Sequence, residues 1–134
     1  MSTTYNTSND VKRARVSQNT VTTSPDLGAN QAGQEFNVGT DALTITLPKI
    51  YSTNLGMEFT FRNIGADGNN IITVSPNAAD GVSGSIANAA ADSVASGTVN
   101  KDIINTKATA NKGDWITIKA VALTAWYITG GVGI

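Results

Sequence analysis

The sequence predicts an all-β protein, an antiparallel β-sandwich or jelly roll with an extended N-terminal arm. Three observations lead there: several short segments alternate apolar and polar residues with period two, no stretch carries an apolar stripe at helical spacing, and Gly, Asn, Asp and Pro recur between the alternating segments. A chain of 134 residues fits one domain that buries roughly two-thirds of the surface its unfolded form exposes. The division expected is an arm over residues 1–25 and a single sandwich over residues 26–134.

Residues 1–25, MSTTYNTSNDVKRARVSQNTVTTSP, hold few apolar residues, keep no period and end at Pro25. Such a segment has too little apolar surface to offset its ordering entropy and is expected to be disordered or extended on its own. An arm that docks on a partner has the same composition. From residue 35 the period becomes two. EFNV begins it, and DALTITLP continues it with Leu43, Ile45 and Leu47 facing one way, Thr44 and Thr46 the other, and Pro48 at the end. GMEFTFRN repeats the pattern, with Met57, Phe59 and Phe61 inward and Glu58, Thr60 and Arg62 outward. NNIITVSP supplies the next strand, and the short IGADG between them predicts a β-hairpin over residues 57–75.

Residues 76–100, PNAADGVSGSIANAAADSVASGTVN, are expected to form a long surface loop with no more than one short strand, because Gly81, Gly84 and Gly97 interrupt every period. NAADGVSGS is echoed by NAAADSVASG, but a single echo does not make a solenoid. KDIINTKAT predicts a strand. GDWITIKAVAL alternates around Ile116, Ile118 and Ala120, and TAWYITGG places Trp126 and Ile128 on one face, with a tight turn near Thr124 joining the last two as a hairpin.

Composition narrows the chemistry. Hydrophobic residues make up 40% of the chain and charged residues only 14%, so the surface is neutral and rich in Thr, Asn, Ser and Gly. Formal net charge is −1, which gives no general attraction to nucleic acid or an anionic membrane. Within the arm Lys12, Arg13 and Arg15 stand against Asp10, a balance of +2; the remaining six bases against nine acids leave −3. Cys and His are both absent. Thiol nucleophiles, Ser-His-Asp triads, imidazole bases and zinc sites of the usual kind are thereby excluded by residue type. No apolar run approaches the ~20 residues of a membrane span, and the N-terminus lacks the apolar centre of a secretory signal, so synthesis in the cytoplasm is expected.

The stretch IGADGNNIITVSPNAADGVSG invites a calcium reading. Counting from Asp67, the alternating oxygen pattern reaches Asn69 and then fails at Ile71, and no Glu closes the loop, so a turn is expected instead. Asp67, Asp80 and Asp92 offer carboxylates for acid and base roles, but each sits among turn-forming Ala, Gly and Ser, where Asp commonly caps its own backbone. No enzymatic activity, metal or cofactor is expected. Trp115, Trp126 and Tyr127 present two alternatives, a face for stacking sugars, or one Trp over the core and the other at a subunit contact. Lys12, Arg13 and Arg15 are too few for a nucleic-acid patch and suit an arm that is solvated or pairs with acidic surface on a partner.

GMEFTFRNIGADGNNIITVSPNAADGVSG, followed later by KGDWITIKAVALTAWYITGG, resembles head decoration (cement) proteins of tailed bacteriophages. There a strand ending in RN or KN leads through a Gly-rich turn to ITVSP, then to ADGVSG, and later to GDWITI and a closing WYI. The resemblance covers residues 43–130 and leaves out the arm. It implies a capsid-stabilising virion protein, commonly a trimer, on the outer surface of the phage head, with the major capsid protein and further copies of itself as partners and neither nucleic acid nor membrane. The arm would bring Tyr5, Val11, Lys12, Arg13, Arg15 and Val16 to the capsid, and Trp126, Val132 and Ile134 would lie at the subunit interface. The competing expectation is a phage fibre module that binds a receptor or glycan.

Overall fold

The computed structural model describes residues 18–88 and 92–133. Among them ten strands form two sheets, and the only helical element is a 3-10 turn at Ala29–Gln31. The strands are β1 (Gln18–Val21), β2 (Glu35–Val38), β3 (Leu43–Thr46), β4 (Glu58–Asn63), β5 (Ile72–Ser75), β6 (Gly81–Ile86), β7 (Ser93–Val99), β8 (Ile103–Asn105), β9 (Trp115–Ala122) and β10 (Ala125–Val132). The larger sheet has the order β1-β2-β4-β9-β10-β6-β7, and the smaller one β3-β5-β8. The all-β class is as the alternation predicts.

The antiparallel expectation is corrected. Four strand pairs are parallel: β1 with β2, β2 with β4, β3 with β5, and β6 with β10. For the first three the cause is that the first half of the chain winds back and forth between the sheets. It runs β2, β3, β4, β5, with β2 and β4 in the large sheet and β3 and β5 in the small one, so each return lays a strand parallel to its predecessor. The isolated bridge from Asp26 to Thr46 extends this winding one step toward the N-terminus. Seven and three strands with parallel pairs also differ from the antiparallel Greek keys of a jelly roll.

Two local expectations fail with it. Residues 57–75 are not a hairpin, because β4 pairs with β2 and β9 while β5 pairs with β3 and β8 in the other sheet. IGADG is a turn that carries the chain across the core. Residues 76–100 are not a long loop, because β6 and β7 pair antiparallel and β6 lies parallel to β10. The glycines that hide this from the sequence have a packing reason. Gly84 has φ of +129°, and a Cβ there would lie 2.8 Å from the Cβ of Ile128, so only Gly lets β6 approach β10 this closely.

The boundary at residue 25 also moves. β1 pairs in register with β2, from Gln18 opposite Glu35 to Val21 opposite Val38, and Thr46 N–H donates to Pro25 O at 3.0 Å. Residues 18–25 therefore belong to the folded domain. The last hairpin matches the sequence: β9 and β10 pair antiparallel, and Thr124 in their turn has φ of 62°.

The core lies between the sheets. Phe36, Phe59, Phe61 and Trp126 form an aromatic cluster with centroids 5.8 to 6.3 Å apart, packed with Val38, Ile45, Ile118 and Leu47. Each large side chain so buried contributes about 1.5–3 kcal/mol of hydrophobic stabilisation before ordering entropy is counted.

Candidate interaction surfaces

The carboxylates that raised acid-base and calcium readings are dispersed. Asp67 Oδ1 accepts the N–H of Lys112 at 2.7 Å, and the Asp80 carboxylate, fully buried, accepts the N–H of Ile50 at 3.0 Å. Both serve backbone groups, but in segments distant along the chain, where local capping of their own turns was expected. Asp92 is exposed in the connection between β6 and β7. Among the described residues no three metal-ligating side chains come together, and no helix is long and apolar enough to cross a membrane.

At one end of the sandwich amide side chains tie the sheets together. Asn70 donates to Asn63 Oδ1 (3.3 Å), Asn63 donates to Asn105 Oδ1 (2.9 Å), and Asn105 donates to Asp114 Oδ2 (3.0 Å). Asn63 and Asn70 are buried, where a bonded amide is tolerated and an unbonded one is costly. The adjoining cavity of about 30 Å³ is lined by Phe61, Ile72, Val74 and Ile116 beside Asn63, Asn105 and Asp114.

Nearby, Asp41 joins the connection before β3 to the loop after β8. It accepts from Lys107 Nζ at 2.7 Å and from Ile71 N–H at 2.7 Å. The Lys107 hydrogen bond, and after it the Ile71 N–H, hold the Asp41 carboxyl below its ordinary value of 3.8.

Of the expected contact residues, Tyr5, Val11, Lys12, Arg13, Arg15, Val16 and Ile134 lie outside the described residues. Val132 is half-exposed at the end of β10, opposite Trp115. Trp126 corrects its assignment. The chain itself covers it completely, at 0% exposure and 6.0 Å from Phe59, because its position on β10 points inward with Ile128. It is a core residue, unavailable to a second subunit or a sugar. The aromatic trio therefore does not form. Trp115 lies on the outer face of the large sheet beneath the Arg62 guanidinium, 5.9 Å away, and Arg62 is held by Glu35 Oε1 at 3.2 Å.

Two surfaces carry clusters of exposed apolar side chains. Tyr51, Leu55, Val121 and Leu123 are exposed at the β9–β10 hairpin end, where Gly56 N–H donates to Ala120 O and brings the 51–56 turn against β9. The second surface is β7, the edge of the large sheet, with Val94 77% exposed and Val99 also exposed. Between β7 and β8 runs a groove of about 340 Å³, floored by Val82, Ile86, Ile103 and Ile128 and rimmed by Lys101 and Asp102. Neither surface was legible in the sequence. Leu123 in a turn and two Val residues in a Gly-Ser-Ala stretch were the available signals.

No protein-family model matches the chain, and a search of curated proteins finds no match.

Proposed function

We propose that this is a structural virion protein that binds the outer surface of a phage capsid as an oligomer, a trimer in the expected form, and stabilises it. The observation that carries the reading is the placement of exposed apolar side chains on a two-sheet body: one group stands at one hairpin end and another along one sheet edge, in a chain of low charge. Monomers seldom leave such patches uncovered, and symmetric assemblies cover them. The resemblance of residues 43–130 to head decoration proteins supplies the capsid.

The mechanism is multivalent clamping. Each subunit binds weakly through its arm and its exposed edges, and an oligomer presents several such contacts at once, so the assembled capsid gains binding free energy that its separated parts lack. Deletion of residues 1–17, which leaves β1 intact, is expected to abolish capsid binding while circular dichroism still reports a folded β-domain. Full occupancy of capsids by the truncated protein would remove the arm from the clamp.

A further inference from the structure

The β7 edge lacks two of the usual devices that discourage strand addition: its seven residues, SVASGTV, contain no charge and no Pro. Its one irregularity is the register shift near Gly97, which has φ of +80°, and Ser93–Ser96 pair regularly with β6. Its outer side has no partner strand among the described residues. Ser93 and Ala95 share the face of β7 that looks into the groove, since they pair with Ile86 and Gly84 on β6.

We propose that residues 2–8 of a second copy add to β7 as an eighth strand of the large sheet, with Thr3, Tyr5 and Thr7 turned into the groove. The segment STTYNTS matches the edge in length, is uncharged and alternates small polar residues around one aromatic ring, which suits a groove with an apolar floor and a hydroxyl-bearing wall. Backbone hydrogen bonds along the edge hold the segment in place, and the Tyr5 ring covers Ile103 and Ile128, which a lone chain leaves partly exposed.

Reach decides between the chain's own arm and a neighbour's. The arm joins the domain at β1, the opposite edge of the same sheet. A strand laid outside β7 lies seven spacings from β1, about 34 Å at ~4.8 Å each. The ten steps from residue 8 to residue 18 span at most roughly 33–36 Å when fully extended. An arm reaching its own β7 would have to run straight and taut across the ends of a twisted sheet. A neighbouring copy receives it without that constraint. The inference extends the oligomer part of the reading above and needs no capsid.

The absence of Cys makes the test direct. Chains carrying Tyr5→Cys alone and Ala95→Cys alone are mixed and oxidised under mild conditions, with Ser93→Cys as a second groove position and Lys112→Cys, on a distant loop, as the collision control. The mixed disulfide is expected at least about tenfold faster than with the control, because docking holds the thiols at millimolar effective concentration. Deleting residues 2–8 is expected to lower the mass measured by light scattering. Cross-linking no faster than the control from each of positions 3, 5 and 7, or cross-links confined within one doubly substituted chain, would overturn the proposal. Since no capsid is present, such a result with capsid binding intact would remove arm exchange alone, and cross-linking without capsid binding would remove the virion reading alone.

Discussion

Asp80 and Ile50 are joined by a buried hydrogen bond: the Ile50 N–H donates to Asp80 Oδ2 at 3.0 Å, and this fastens the loop after β3 to the start of β6. The other carboxylate oxygen of Asp80 has no protein partner. Removing the acceptor leaves a buried N–H unpaired, which costs about 1–3 kcal/mol. Asp80→Ala is therefore expected to lower stability by that amount in urea unfolding. Asp80→Asn keeps an acceptor for Ile50 and is expected to cost less, so equal losses from the two variants would contradict the assignment.

Trp126 and Tyr127 are neighbours in sequence with opposite roles. Trp126 is buried against Phe59, and Tyr127 faces outward. Trp126→Ala opens a cavity at the centre of the core and is expected to cost about 3–5 kcal/mol, a fall in Tm on the order of 10–20 °C. Tyr127→Ala is expected to stay within about 0.5 kcal/mol. Thermal unfolding of the two proteins separates a core tryptophan from an interface one. A Trp126→Ala protein with unchanged Tm would contradict the packing.

Asp41 gives the fold a pH dependence of known sign. Its folded pKa is lowered from 3.8 by Lys107 and the Ile71 N–H, so its contribution is fully present above 3.8 and is lost as pH falls through the lowered value. The pair is exposed, and added salt weakens it. The stability difference between wild type and Asp41→Asn is expected to be constant near neutral pH and to shrink in acid. A difference that grows below pH 3.8 would reverse the sign, and titration of the Asp41 carboxyl by NMR checks the shift directly.

Much of the fold was legible in period-two alternation. Leu43, Ile45 and Leu47, then Met57, Phe59 and Phe61, then Ile116, Ile118 and Ala120 all point into the core as the pattern requires. Alternation reports a strand's faces and says nothing of its neighbours. IGADG has the composition of a hairpin turn, yet it links two sheets, and nothing local in it distinguishes the two. β6 was hidden because Gly84, the residue that lets it touch Ile128, also breaks the pattern by which a strand is recognised. The same pattern put Trp126 and Ile128 on one face and left open whether that face met the core or a partner. The arm residues expected at the capsid lie outside the described residues, and the β7 edge gave only two scattered Val residues as a signal.

The proposed function places the protein on a phage head, which it holds together. Its position and copy number in purified virions, measured by quantitative mass spectrometry and particle imaging, test this most directly. Density on the outer surface of the head, in a fixed ratio to the major capsid protein, is the expected result. Absence from the head, or a location confined to tail fibres, would contradict it.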